Sequence, residues 1–151
     1  MKKSLMLAAL LCLVPAHAHA DELTKGMECT VKKFGYAGSN VFSGDPMTAS
    51  KGPSYVADKK FDGYVAASKD PKVASFPRGV GLIGRAWANG QDFSPNVQTL
   101  DGKKFLRLEV AKKHGVKGTV AFLASEGVVV EFFSGSEITS PDFEGIKACF
   151  K

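Results

Sequence analysis

The sequence predicts a small α/β domain, and three observations carry that prediction. Two β-branched and aromatic runs, Thr119 to Ala124 and Val128 to Phe133, flank the turn signal Ser125-Glu126-Gly127 and read as a β-hairpin. Their apolar density places the hairpin centrally in a sheet. Stretches with apolar residues at helical spacing lie at both ends of the chain and in its first half. No internal repeat or low-complexity linker divides residues 21–151, which read as one domain.

The beginning of the chain stands apart. Lys2 and Lys3 form a short positive region, Leu5 to Val14 is an apolar run of about ten residues, and Pro15 ends it. A bilayer span takes about twenty apolar residues, so this run is no membrane anchor. Ala18-His19-Ala20 is a small-x-small cleavage site. Residues 1–20 therefore read as a secretory signal peptide, with the mature chain starting at Asp21. Leu11 stands before Cys12, where a lipoprotein signal would place a small residue. The expected location is the periplasm or the exterior, with no stable membrane anchor.

The chain has 20 Lys and Arg against 15 Asp and Glu. Lys2 and Lys3 leave with the signal, so the net charge falls from +5 to +3, with 18 basic residues against 15 acidic ones. Lys32-Lys33, Lys59-Lys60, Lys103-Lys104 and Lys112-Lys113 are scattered pairs that read as solvated surface. They form no nucleic-acid patch. Cys12 also leaves, and Cys29 and Cys149 remain near the two ends. An even pair in an exported chain reads as a disulfide, closing a loop of about 120 residues. A redox-active pair is the other reading, although the spacing has no CxxC character.

From Asp21 to about Lys33, Leu23, Met27, Thr30 and Val31 recur at helical spacing, with acids at the favourable end. Gly35 to Ser54 is rich in Gly, Ser and Pro and reads as turns around short extended pieces such as Asn40-Val41-Phe42. Asp58 caps a helix from about Lys59 to Ser68, ended by Asp70-Pro71. Val73 to Phe76 reads as extended. A glycine-rich turn then opens a short helix closed by Gly90. Asp92 to Val97 reads as an edge segment interrupted by Pro95. Lys103 to Lys113 fits both periods, because Leu106, Leu108 and Val110 alternate while Phe105, Leu108, Glu109 and Lys112 share a helical face. Ser140-Pro141-Asp142 starts a last helix, with the Ser140 hydroxyl as cap, Pro at the first position and an acid in the first turn, and Phe143, Ile146, Cys149 and Phe150 on one stripe turn Cys149 toward the core.

Few residues suggest chemistry. Gly79-x-Gly81-x-x-Gly84 matches the dinucleotide string, but Pro77 and Arg78 interrupt the strand that should precede it, so it reads as a structural turn and no cofactor is expected. His114 is the single histidine after the signal and reads as a surface residue at a helix C-terminus; neither a triad nor a His/Cys metal site is expected. Asp58, Asp62, Asp92, Asp101, Glu109 and Glu131 show no acid–base pairing. Glu131 interrupts an apolar strand. It either faces a solvated side of the sheet or points into a pocket beside Arg85 or another cation. The aromatics Phe76, Trp87, Phe93, Phe105, Phe122, Phe132 and Phe133 suit core packing and an apolar pocket equally.

The stretch Phe76-Pro77-Arg78-Gly79-Val80-Gly81-Leu82-Ile83-Gly84-Arg85-Ala86-Trp87-Ala88-Asn89-Gly90 resembles the middle of GAF domains. The likeness continues through Ala111-Lys112-Lys113-His114-Gly115 and through the strands Gly118 to Ala124 and Gly127 to Ser134. It covers a little under half of the mature chain. The resemblance implies an α+β fold: an antiparallel sheet flanked by helices, with a ligand pocket on one face. The N- and C-terminal helices would pack together on the other face, which suits a Cys29–Cys149 bridge. It also implies helix over Lys103 to Lys113, and it makes Glu131 a family feature of the last strand. GAF relatives that reduce free methionine sulfoxide use cysteines in the pocket region, and both cysteines here lie outside it.

The expected function is therefore a non-enzymatic, exported GAF-like module that binds a small molecule or presents a surface to a membrane sensor protein. Candidate ligand-binding residues are Phe76, Arg85, Trp87, Phe93, Phe105, Phe122 and Glu131. Two other classes remain open: an enzyme, either a thiol oxidoreductase using Cys29 and Cys149 or a carboxylate hydrolase, and a structural or interaction protein with a filled core.

Overall fold

The computed structural model describes residues 16–151, with side chains from Ala20 onward. The expected signal residues 1–15 lie outside the described residues, and the expected cleavage point between Ala20 and Asp21 falls within the first helix, α1 (Ala16–Phe34). No helix among the described residues is long and apolar enough to cross a membrane.

Five strands form one antiparallel sheet: β1 (Gly38–Ser43), β2 (Ser54–Val56), β3 (Gln91–Ser94), β4 (Gly118–Ser125) and β5 (Val128–Ser134). Their order is β2-β1-β5-β4-β3. The hairpin β4–β5 read from the sequence is present, and β5 is the central strand. Four more helices complete the α+β fold: α2 (Asp62–Ser68), α3 (Gly81–Asn89), α4 (Leu108–His114) and α5 (Phe143–Ala148).

Strand alternation sends side chains to two separate cores. Val130 and Phe132 of β5, with Val120 and Phe122 of β4, pack against Met27 and Val31 of α1 and Ile146 of α5. Val129 and Phe133 of β5, with Phe42 and Ala121, pack on the opposite face against residues of α2, α3 and α4. Glu131 lies between Val129 and Phe133 and so projects into this second core. In register it faces Asn40 of β1 on one side and Ala121 of β4 on the other.

Several local readings are corrected by tertiary context. Val73 to Phe76 is not a strand; Phe76 makes an isolated bridge to Met47. Only Leu108–His114 of the ambiguous stretch is helical, and residues 102–107 are mostly turns stabilised by Asp101, whose carboxylate accepts from the amides of Lys103 and Lys104. The last helix is capped by the Asp142 carboxylate, which accepts from the Gly145 amide at 2.9 Å, rather than by Ser140. The glycine string is a tight turn. Gly79 and Gly81 have φ of 83° and 69°, and a Cβ at Gly84 would collide with the Pro77 carbonyl.

Cys29 of α1 and Cys149 at the end of α5 form the expected disulfide, with Cα atoms 5.7 Å apart. The bridge lies at the surface, correcting the expectation that Cys149 faces the core: Cys29 is exposed and Cys149 half-buried. It ties the two helices of the first core across 120 residues. In the chain-entropy picture such a closure contributes on the order of 4–5 kcal/mol. A C29S/C149S variant should lose about 2–5 kcal/mol in urea unfolding relative to the oxidised wild type, and a reductant should lower the wild type toward the variant. Equal midpoints with and without reductant would remove the stapling role.

Candidate functional site

The second core contains a charged centre. The Arg107 guanidinium donates from Nη2 to Glu131 Oε2 at 2.5 Å and from Nη1 to Oε1 at 2.8 Å, with both side chains fully buried. Nη1 also donates to Ser68 Oγ at 3.0 Å. Around the guanidinium carbon stand four rings: Phe42, Tyr64, Phe76 and Phe105, with centroids 5.1–5.3 Å away. Phe42 comes from β1 and Tyr64 and Ser68 from one face of α2, four residues apart. Phe76 is held by the Met47 bridge, and Phe105 and Arg107 come from the turns before α4.

The carboxylate has its own supports. Asn40 Nδ2 donates to Glu131 Oε1 at 3.2 Å, and Asn40 is oriented by Ser54 of β2, whose hydroxyl donates to Asn40 Oδ1 at 3.1 Å. The Tyr64 hydroxyl approaches Oε2 at 3.5 Å. Two parallel charge-assisted hydrogen bonds and four cation–π faces together offset a desolvation cost of several kcal/mol per ion. One atom is left out. Arg107 Nε is buried and has no hydrogen-bond partner.

Burial is the largest single influence on the Arg107 pKa and lowers it, but Glu131 and Tyr64 together outweigh it and the net shift is upward. The Tyr64 phenol is pushed well above its ordinary value, first by burial, with Glu131 adding to the shift and Arg107 opposing it.

The seven expected ligand-binding residues do not share one cavity. Phe76, Phe105 and Glu131 meet in the charged centre. Glu131 is not on a solvated side of the sheet, and its cation is Arg107. Arg85 instead pairs with Asp92 at 2.7 Å near the surface and donates to the Lys104 carbonyl at 3.2 Å. Trp87 is half-buried beneath Arg78, and Phe93 lies exposed on edge strand β3, edge-on to Phe143. Phe122 packs in the other core against Phe132 and Phe150. His114 is half-buried against Gly63, where a Cβ would collide with its ring.

An open, polar cleft of about 480 Å³ lies between the end of α1 and the 134–142 segment, lined in part by Tyr36, Ser136, Ser140 and Asp142. None of the seven residues lines it. Burial, helped by Asp142, raises the Tyr36 pKa. Sequence reasoning missed Arg107, Tyr64, Phe42, Asn40 and Ser68. The available signal was an arginine set between Phe105-Leu106 and Leu108, an apolar stretch with no reason to carry a solvated charge.

No protein-family model matches the chain, and no curated protein matches it.

Removing one partner of the pair leaves an uncompensated buried charge. R107A and E131A should each lose about 3–5 kcal/mol in urea unfolding, whereas R107M/E131L should cost far less. Equal losses in all three would show that packing volume, not charge, is what matters. A raised phenol pKa stabilises the fold fully below the unfolded-state value of 10.0 and ceases to do so as pH rises through the folded value. The melting temperature should therefore fall above pH 10, and less steeply in Y64F. Parallel profiles for wild type and Y64F would place the alkaline loss elsewhere.

Proposed function

We propose that the chain is an exported, non-enzymatic binding or sensory module of the GAF kind. The observation that carries this reading is the closed charged centre on the sheet face where the GAF resemblance implies a ligand pocket. Its geometry is that of recognition rather than turnover. Both Glu131 oxygens are engaged by donors, so the carboxylate is not free to move a proton as a general base. The rings and the carboxylate match the shape and charge of a planar cation. The antiparallel sheet with α1 and α5 on its other face is the architecture that the resemblance implies.

One observation favours a second reading, thiol–disulfide exchange. Cys29 is exposed, and Cys149 opens onto a surface cleft lined by Glu22, Lys25 and Lys151, which leaves the bridge accessible to an attacking thiol.

Native and denatured mass spectrometry of protein from the periplasmic fraction tests both export and binding. The denatured mass should match a chain beginning at Asp21 and lacking the two thiol hydrogens. Additional mass surviving only in the native spectrum is the expected result, from a ligand held outside the charged centre that Arg107 already fills. A clean native mass, with no thermal shift across a metabolite collection, would move the assignment to an interaction protein with a filled core. C29S/C149S decides the second reading: loss of stability with unchanged reductase activity rejects it.

A further inference from the structure

We propose that the Phe42–Tyr64–Phe76–Phe105–Glu131 box is a guanidinium-binding site that the chain fills with its own Arg107, a tethered ligand, and that it takes a free alkylguanidinium ion once that tether is removed. The proposal rests on the binding-module reading for the box's role as a receptor, and on geometry for its ligand class.

The contacts select a planar, delocalised cation. Nη1 and Nη2 meet the two carboxylate oxygens side by side, and Nη1 has a second acceptor in Ser68. An ammonium group is a compact point charge and cannot make the two parallel bonds. Four rings at nearly equal distance from the guanidinium carbon suit a flat ion with charge spread over its faces.

The receptor is assembled largely without the segment that carries its ligand. Glu131 is supported by Asn40 of β1, which Ser54 of β2 holds in turn, and by Tyr64 of α2. Phe42, Tyr64 and Phe76 also belong to parts of the chain remote from residue 107. Only Phe105 shares the tether.

A second, independent observation concerns the stem. Arg107 Nε, the nitrogen that joins the guanidinium to its chain, is buried without a partner. The box therefore binds the two terminal nitrogens and makes no use of the linkage. The tether itself comes from the surface: residues 101–104 are exposed, and Leu106, next to Arg107, is 39% exposed. Truncation at Cβ would leave the acceptors in place and a stem-shaped space above them. An alkylguanidinium, whose alkyl group fills that space, should bind better than guanidinium itself.

The test is thermal unfolding of R107A in about 20 mM guanidinium chloride or ethylguanidinium chloride, with sodium chloride at the same concentration as the reference. The guanidinium salts should raise the melting temperature of R107A by on the order of 5 °C over sodium chloride, ethylguanidinium more than guanidinium. The wild type, whose box is full, should show no rise, and R107A/E131Q should lose most of the gain. If R107A does not fold in buffer, the same salts should restore its near-ultraviolet circular dichroism. R107A that responds no differently from its sodium chloride reference, folded or not, overturns the proposal. So does an equal response in R107A/E131Q, which would be a general ion effect. Wild type that carries no ligand while R107A is rescued counts against the module reading alone; a ligand on the wild type with no rescue of R107A counts against the guanidinium site alone.

Discussion

A guanidinium ion held away from water has to be matched on every side, and that requirement draws distant parts of this chain to one point. The Arg107–Glu131 pair needs β5 for its carboxylate and β1 for both Asn40 and a ring. It also needs α2 for Ser68 and Tyr64, and the Phe76 segment for another face. None of these can shift far without leaving a charge unpaired in a medium that punishes it. The pair therefore constrains the relative placement of strands and helices more tightly than apolar contacts, which tolerate repacking. Ala121, the neighbour of Glu131 on β4, is small and apolar and adds no competing polar group.

The two faces of the sheet are organised by different means. On one, α1 and α5 are joined covalently through Cys29 and Cys149 over a core of Val, Ile, Met and Phe side chains with no buried ion pair among them. On the other, the helices are short and a polar centre sets the geometry. A six-residue α5 has little helical stability of its own, so its docking depends on Ile146, the Asp142 cap and the bridge. Short α2 and α4 depend in the same way on contacts across the charged centre.

Much of this architecture was legible in the sequence. The hairpin showed itself through β-branched and aromatic density around Ser125-Glu126-Gly127, and the disulfide through cysteine arithmetic in a chain read as exported. Gly90 stops α3 as read, whereas Asp58 caps a 3-10 turn over Lys59–Phe61 and α2 begins only at Asp62 without a side-chain cap. The charged centre was half legible. Glu131 stood out because a carboxylate inside an apolar strand needs a partner. Its partner did not, because Arg107 lies in a stretch where strand and helix periods overlap, and the structure there is turn. Side-chain direction in a turn follows no period, so no pattern could aim Arg107 inward. The aromatics failed as pointers for a related reason: Phe122 and Phe133 differ in face only through strand register, which becomes visible once pairing is known.

The position of β5 governs the order in which the molecule can be completed. Among the described residues it is the last strand in sequence and yet the middle of the sheet. Until it emerges, β1–β2 and β3–β4 are two separate antiparallel ribbons with nothing to join them. Glu131 is on that strand, so Arg107 has no counter-ion until β5 appears, and Cys149 follows 18 residues after Glu131. Sheet closure and charge neutralisation thus both wait for β5, and covalent locking waits for the residues that follow it. A nascent or truncated chain ending before β5 would hold a cation and two unsatisfied strand edges, a form suited to capture by a chaperone rather than to folding in stages.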